Sequence, residues 1–316
     1  MTRFLSQLCI RYEQTVIARA LSFRPLACWF VFMLATVAST RIAQAQSSVS
    51  ANSSAQEFTN PCLDPSTHEA IKDAFRLVCS KPGVSEATSV TQQAIVIGFL
   101  GGFVKRNDVR HPEVLFVNYL RSRYGPAVHA EVFGNHEAEK ALELIRERLD
   151  TKESSAEGGK QPLKIILYGH SWGASQVLEF ARKLEKQEIP VSLTIQIDSV
   201  RKPGQDDGSV PANVSRAVNF YQRKGLTPGR PLITTANAER TTILGNFHMM
   251  YKHKDVRCDN YRWLSRLLNK PHHQIENDPH IWDRVATLID GELSNRDGIE
   301  AAQSAIDNSS PSQDIR

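Results

Sequence analysis

The sequence predicts an α/β domain with a mainly parallel sheet and helices on both faces. Short apolar runs alternate along the chain with helical patterns, which is typical of strands joined by crossover helices. The strand-like runs are apolar at nearly every position, as suits strands that are covered on both faces. Connections are short except at 151–162 and 201–215, so we expect one domain over residues 56–294 without a large cap domain. A length of 316 residues with 41% apolar content allows a core of that size.

Each element follows from a local pattern of apolar residues. Strands are predicted at Ala94–Phe99, Val128–Phe133, Leu163–Tyr168, Val191–Ile197 and Ala217–Tyr221, with weaker ones at Leu232–Thr235 and Thr241–Leu244. Helices are predicted at Pro112–Tyr124, His136–Leu149, Ala174–Gln187, Tyr261–Leu268 and His280–Leu293. We expect Trp263 and Trp282 to anchor the last two helices in the core.

The first 45 residues have the pattern of a signal peptide. Four arginines precede an apolar run at 26–38, and Ala43-Gln44-Ala45 offers small residues at the two positions that a signal peptidase reads. The run is shorter than the roughly 20 apolar residues needed to span a bilayer. We therefore predict a cleaved signal peptide at 1–45 and a secreted or periplasmic protein. The alternative is an uncleaved membrane anchor at 26–38.

The flanking segments are polar and the charge is nearly balanced. Residues 46–60 are rich in serine and alanine, which predicts a disordered linker, and residues 295–316 predict a polar flexible tail. Loss of residues 1–45 would remove five arginines and one glutamate, taking the basic count from 38 to 33 and the acidic count from 34 to 33. The sequence therefore gives no electrostatic reason to expect a nucleic-acid partner.

Three cysteines would remain after cleavage: Cys62, Cys79 and Cys258. Export would permit a disulfide. The intervening segment 66–78 reads as a helix, which would hold its ends about 20 Å apart, whereas a disulfide needs Cα atoms within about 7 Å. A Cys62–Cys79 bridge would therefore need the chain to double back. Pairing of Cys258 with one of the two is the alternative. No metal-ligand spacing is present.

The motif at 169–173 (GHSWG) carries the clearest chemical signal. It follows the strand 164–168 and opens the helix Ala174–Gln187. So tight a strand-to-helix turn strains its central residue, and glycines two positions before and after Ser171 remove Cβ clashes. The hydroxyl would then project above the sheet at a helix N-terminus, as a nucleophile requires. The alternative is a glycine-rich turn with an inert serine.

At this motif the chain resembles the α/β-hydrolase superfamily, whose nucleophile elbow reads G-x-S-x-G between strand and helix. The resemblance covers most of the chain by element order and implies the α/β-hydrolase fold. It also implies a chain order of serine, acid and histidine. Asp198 ends the strand Val191–Ile197 and would be the acid, although the family's acid more commonly follows a later strand. Glu239, Asp206 and Asp207 are the alternatives.

The segment PHHQIENDPHIWDRVATLI resembles the family's catalytic-histidine segment. In that segment a histidine lies in a loop, an apolar residue follows three positions later, and a final amphipathic helix comes next. His272 matches the spacing with Ile275 and would be the general base, with Asp278 as the N-cap of the last helix. His273 and His248 are the alternatives.

The resemblance also implies an oxyanion hole with two backbone N–H donors. Trp172 would supply one, because it follows the nucleophile. The other would come from the segment AIVIGFLGGF (94–103), with Leu100 predicted as the donor and Gly101 as the alternative. Many relatives carry His-Gly where this chain has Gly98-Phe99. A glycine turn without a catalytic role is the remaining interpretation.

Together these features predict an exported serine hydrolase that cleaves an ester through an acyl-enzyme, as a carboxylesterase or lipase does. The substrate would be a small-molecule or lipid ester, with no metal and no organic cofactor. A membrane would be involved only through an uncleaved anchor, and the oligomeric state stays open. Peptidase, amidase or thioesterase chemistry on the same fold is an alternative. A non-catalytic binding module with a hydrolase fold is another.

Overall fold

The computed structural model describes residues 93–154, 163–252 and 256–294, all within the compact unit Glu57–Arg316. The predicted signal peptide, linker, tail and the cysteines Cys62 and Cys79 lie outside the described residues. The centre of the molecule is a six-stranded sheet in which every neighbouring pair is parallel. The predicted mainly parallel α/β class is therefore confirmed.

The strands of this sheet are β1 (Ala94–Leu100), β2 (Val128–Gly134), β3 (Lys164–His170), β4 (Val191–Ile197), β6 (Val214–Tyr221) and β8 (Thr242–His248). Their order across the sheet is β2-β1-β3-β4-β6-β8. Two short strands, β5 (Ser209–Val210) and β7 (Thr234–Thr235), form a separate parallel pair. Strands β3 and β4 are neighbours at the middle of the sheet, so the residues that follow their C-terminal ends lie side by side.

Five helices accompany the sheet in the described part of the chain. They are α1 (Pro112–Tyr124), α2 (Ala138–Ser154), α3 (Trp172–Glu185), α4 (Trp263–Asn277) and α5 (Pro279–Leu293), and a 3₁₀ turn at Gly125–Ala127 joins α1 to β2. None of these helices combines the length and apolar character that crossing a bilayer requires.

Two hydrophobic cores lie on opposite faces of the sheet. The first contains apolar residues of α1 and α5, and the second contains those of α2 and α3. Alternate residues of β1 divide between them, with Val96 and Leu100 in the first core and Ile97 and Phe99 in the second. Both faces of β1 are buried, which explains why this run is apolar throughout.

Helix α4 differs most from the sequence-based prediction. The predicted helix ends at Leu268 and leaves His272 in a loop, but the structure continues α4 to Asn277. Asn269 interrupts the helix with φ −138° and ψ 32°, and Pro271 lies just beyond this kink. Proline suits the first turn of a helix because its missing N–H has no partner there. Pro271 therefore restarts the helix, and the loop predicted for His272 is wrong.

One further expectation is corrected near the start of α4. Trp263 is 70% exposed and does not anchor this helix in the core. Cys258 is buried, and its pairing with Cys62 or Cys79 stays a prediction because those two residues lie outside the described part of the chain. Trp282 does anchor α5 in the core: it is fully buried, and its ring contacts those of Phe116 and Tyr168.

Truncation of Trp282 should destabilise the fold strongly. The indole Nε1 donates a hydrogen bond of 2.6 Å to the carbonyl of Glu276, so Trp282→Ala would lose this bond and leave a cavity. We expect a loss of about 3–5 kcal/mol in the free energy of unfolding, measured by urea denaturation. The matched control is Trp263→Ala, for which we expect a change within about 0.5 kcal/mol because its side chain is exposed. Equal losses in the two variants would contradict this account.

Candidate active site

Ser171 is the single residue between β3 and α3. Its backbone has φ 57° and ψ −122°, in the left-handed region that costs a non-glycine residue conformational energy. Its amide donates to the carbonyl of Ile197 (3.0 Å), and its own carbonyl accepts from the amides of Ala174, Ser175 and Val200. These hydrogen bonds hold the turn in a conformation that an isolated chain would rarely adopt.

The two glycines of the motif are sterically required. A Cβ at Gly169 would lie 2.6 Å from the carbonyl carbon of Gly173, and a Cβ at Gly173 would lie 1.9 Å from the carbonyl oxygen of Phe99. Neither contact is tolerable, because the obstructing atoms are backbone. The steric reason for glycine two positions before and after Ser171 is therefore confirmed at atomic detail.

Asp198 follows β4 directly and is fully buried. Its carboxylate accepts a hydrogen bond from the backbone N–H of Gln222 (2.9 Å, to Oδ1) and another from the Gln222 side-chain amide (2.8 Å, to Oδ2). Its backbone φ is 46°, and its amide donates to the carbonyl of Phe220. A Cβ at Gly229 would fall 1.9 Å from Oδ1, so glycine is needed there to admit the carboxylate.

His272 joins Ser171 to Asp198. Its Nδ1 lies 2.6 Å from Asp198 Oδ2, and its Nε2 lies 2.9 Å from Ser171 Oγ. A carboxylate can only accept, so Nδ1 carries the proton in this contact and the unprotonated Nε2 can accept the serine hydroxyl hydrogen. The structure therefore brings all three predicted residues into one hydrogen-bonded chain.

The alternative histidines lie elsewhere. His273 Nε2 is hydrogen-bonded to Ser265 Oγ (2.8 Å), and its ring stacks on Tyr261. Burial, together with the neighbouring His272, lowers the pKa of His273 to about 4. His248 is exposed at the end of β8 and stacks on Tyr221.

The alternative acids also have other contacts. Asp207 is buried, accepts a hydrogen bond of 2.9 Å from Arg230 Nε, and accepts another from the Ser199 hydroxyl. Asp206 accepts from backbone amides two and three residues further along the chain. Glu239 is exposed. Asp207 thus braces the loop that follows Asp198, while His272 contacts Asp198 alone among the four predicted acids.

A cavity of about 600 Å³ opens beside Ser171 and His272. Glycines 101 and 102 and the aromatic side chains of Phe103 and Trp172 form part of its wall. Phe103 is 95% exposed, and its ring centroid lies 5.7 Å from that of Trp172. The cavity therefore offers an apolar, solvent-accessible surface next to the serine hydroxyl.

The backbone N–H groups near the cavity differ in whether they already donate a hydrogen bond. Trp172 is the first residue of α3, where an N–H has no partner within its own helix. Leu100 is fully buried as the last residue of β1, and it does not line the cavity. The Gly101 N–H donates to Glu113 Oε1 (3.1 Å). Gly102 lines the cavity, and its N–H donates to no protein group among the residues described.

The ring of His170 packs against the ring of His272. His170 is buried, its ring centroid is 4.7 Å from that of His272, and neither of its ring nitrogens has a hydrogen-bond partner in the described part of the chain. Burial, together with the neighbouring His272, lowers the pKa of His170 to about 3. The imidazole of His170 is therefore neutral at neutral pH.

This buried imidazole should make the protein sensitive to acid. The folded pKa lies below the unfolded value of about 6.5, so the unfolded chain binds the extra proton and stability falls as the pH drops from about 6.5 towards 3. His170→Phe keeps the ring and removes the titration. Between pH 7 and pH 5 we expect this variant to lose about 2 kcal/mol less unfolding free energy than the wild type, measured by urea denaturation. The exposed His248→Phe should match the wild type, and equal pH slopes for all three proteins would contradict the prediction.

A second buried group of ionisable residues borders the cavity. His111 Nδ1 lies 2.7 Å from Glu276 Oε1, and the Tyr261 hydroxyl donates to Glu276 Oε2. Burial opposes the charged forms of both residues, but their mutual attraction outweighs it, so the pKa of His111 rises to about 9 and that of Glu276 falls to about 2. Burial, then the charge of Glu276, raises the pKa of Glu113 to about 8.

The sequence-based prediction missed several of these contact residues. Gln222 had a usable signal, because it comes directly after β6, the strand paired with β4, and so lies at the same sheet edge as Asp198. His111, Glu113 and Glu276 had none, because Glu276 lies more than 160 residues after the other two and the three form no local motif.

No family model and no curated protein matches this chain. Among solved structures it is similar to the iron-lacking apo form of ESTFA, an esterase, with 12% sequence identity and a TM-score of 0.24. The similarity covers 36% of this chain and 39% of that chain, so the chain spans well under half of its length. The α/β class therefore rests on the sheet itself.

Proposed function

We propose that the protein is a serine hydrolase with an α/β-hydrolase fold that cleaves carboxylic esters through an acyl-enzyme. The observation that carries this proposal is the hydrogen-bonded chain from Ser171 Oγ through His272 to Asp198, beside a cavity. The strained conformation of Ser171 supports it further, because such strain is concentrated at functional sites. The three residues also follow the chain order of α/β hydrolases.

The reaction begins when His272 Nε2 takes the proton of the Ser171 hydroxyl and Oγ attacks the ester carbonyl carbon. Asp198 keeps the imidazole in the required tautomer and stabilises its cationic form. The tetrahedral intermediate then collapses, the C–O bond to the alcohol breaks, and His272 returns the proton to the leaving oxygen. Water, activated by the same imidazole, attacks the acyl-enzyme and releases the acid product.

For the oxyanion hole we propose the N–H groups of Trp172 and Gly102. This replaces Leu100, which is buried in β1 away from the cavity, and Gly101, whose N–H donates to Glu113. The N–H of Gly102, beside the ring of Trp172, donates to no group in the described part of the chain. A Cβ at Gly102 would lie 2.9 Å from Cε3 of that ring, so a side chain at this position would displace the tryptophan.

We propose an ester substrate with an apolar acyl or alcohol group, because Phe103 and Trp172 present aromatic surface beside the nucleophile. We further propose export after cleavage of residues 1–45, with retention of an anchor at 26–38 as the alternative. Sequencing the N-terminus of the protein recovered from its native compartment distinguishes the two, since a chain that begins at Gln46 has lost the anchor.

A fluorophosphonate probe tests the proposed nucleophile, because it reacts covalently with activated serines. We expect one adduct on the folded wild-type chain, mapped by mass spectrometry to Ser171, and none on Ser171→Ala. Ser265→Ala is the matched control, since Ser265 lines the same cavity but is hydrogen-bonded to His273. This control should label like the wild type. A folded wild-type protein without an adduct would instead be a binding module.

A further inference from the structure

Three potential metal ligands meet in the interior beside the cavity. His111 precedes α1, Glu113 belongs to its first turn, and Glu276 lies near the end of α4. All three residues are buried, and one ligand atom from each lies within 4.8 Å of the other two. We call these residues the His111 cluster. The cluster is separate from the hydrogen-bonded residues Ser171, His272 and Asp198, although His111 lines the same cavity.

We propose that the His111 cluster binds a divalent transition-metal ion, with zinc as the best match. Zinc accepts carboxylate ligands together with imidazole, and the imidazole argues against calcium and magnesium, which prefer oxygen ligands alone. Three protein ligands beside a cavity leave a fourth position for water or for a further side chain. Glu276 lies more than 160 residues after His111 and Glu113, which explains why the sequence shows no motif for a metal site with all three residues.

The geometry is close to what zinc requires. Tetrahedral coordination with bonds of about 2.0–2.2 Å separates neighbouring ligand atoms by about 3.4 Å. The His111 Nδ1 to Glu276 Oε1 distance of 2.7 Å would need to widen by somewhat less than 1 Å. The widest separation in the cluster, up to 4.8 Å, would need to shorten by somewhat more than 1 Å. Side-chain adjustments of this size suffice to enclose an ion.

Two buried oxygen atoms provide an independent indication of a missing ligand. Glu113 Oε2 and Asn260 Oδ1 are both buried without a hydrogen-bond partner among the residues described. An unsatisfied buried polar group costs about 1–3 kcal/mol. Asn260 lines the cavity, and its Nδ2 is 3.5 Å from His111 Nδ1. Rotation of the amide by 180° would bring Oδ1 to that position, so Asn260 is a candidate fourth ligand.

A metal ion here would connect two parts of the site. The Glu113 carboxylate accepts from the N–H of Gly101, and Glu276 is four residues after His272 on the same helical segment. An ion shared by Glu113 and Glu276 would therefore tie the glycine turn to the helix that carries His272. Because it would bind the folded chain and not the unfolded one, it should also raise the unfolding temperature.

Zinc binding to the full-length chain tests the proposal. After dialysis against a chelator, we expect calorimetric titration with Zn²⁺ to give one site per chain. Glu113→Gln and Glu276→Gln should each weaken zinc affinity at least about tenfold. The matched control is Glu131→Gln, which alters the partly exposed histidine–glutamate pair of His129 and Glu131 on β2 and should leave the affinity unchanged.

Absence of a saturable site in the wild type would overturn the proposal, as would unchanged affinity in both cluster variants. The two carboxyl groups would then share a proton and no metal. Should a glutamine variant fail to fold, Glu113→Asp keeps the charge but shortens the reach, and the same loss of affinity is expected. Substitution of Co²⁺ adds a spectroscopic test, since coordination gives visible absorption that Zn²⁺ should abolish. These readouts are independent of labelling at Ser171.

Discussion

Ser171→Ala is expected to lower kcat for ester hydrolysis by about 10⁶-fold, to the level of the remaining binding contacts. His272→Ala should cost about as much, because each residue acts only through the other across their 2.9 Å contact. The double variant should therefore be no slower than either single variant. The measurement is initial rates on a graded series of nitrophenyl esters from short to long acyl chains.

Two controls accompany this measurement. Ser265→Ala and His248→Ala alter a serine and a histidine that are not among the proposed catalytic residues, so both variants should retain most of the wild-type rate. Circular dichroism of each variant shows whether a loss of rate is a loss of folding. Retention of more than a tenth of the wild-type rate by folded Ser171→Ala would place the nucleophile elsewhere and refute the mechanism. The acyl-length profile of the wild type separates an esterase from a lipase.

Asp198→Asn is expected to lower kcat by about 10⁴-fold while KM changes little. Both carboxylate oxygens already accept hydrogen bonds from Gln222, and Oδ2 also accepts from His272. The new amide must direct its N–H₂ towards one of these donors. If it faces His272, Nδ1 must become the acceptor, and the proton then moves to Nε2, where it blocks the base.

The matched control is Asp206→Asn, because Asp206 also lies in the loop region after β4 but contacts nearby backbone amides and Arg182 instead of a histidine. We expect this variant to retain the wild-type kcat. If the two asparagine variants have equal rates, Asp198 does not orient the base. A loss confined to KM would instead indicate that Asp198 supports substrate binding.

The parts of the site that were predictable depend on local sterics. The elbow is fixed by two glycines and one serine, all within five residues, so its conformation can be argued from the sequence. Asp198 follows an apolar strand that is buried along most of its length, so its position at the sheet edge was also predictable. In both cases the relevant contacts lie close to the residue in the chain or follow from the parallel sheet.

The other parts depend on contacts between distant segments. Asn269 kinks α4 before Pro271, and a local pattern cannot distinguish such a kink from the end of a helix. Which N–H of the glycine turn is left for the oxyanion hole depends on Glu113. This residue of the following helix accepts a hydrogen bond from the Gly101 N–H. The pairing of His111 with Glu276 joins residues 165 positions apart. Such contacts are determined by tertiary packing.

The positive backbone φ of Ser171 also affects how this protein would respond to selection for heat resistance. Glycine adopts that conformation without the steric cost that serine bears. The simplest gain in thermal tolerance at this position is therefore Ser171→Gly, which removes the hydroxyl. A laboratory screen that rewards survival at high temperature alone would thus favour inert descendants, and only a screen that also demands turnover would retain the serine.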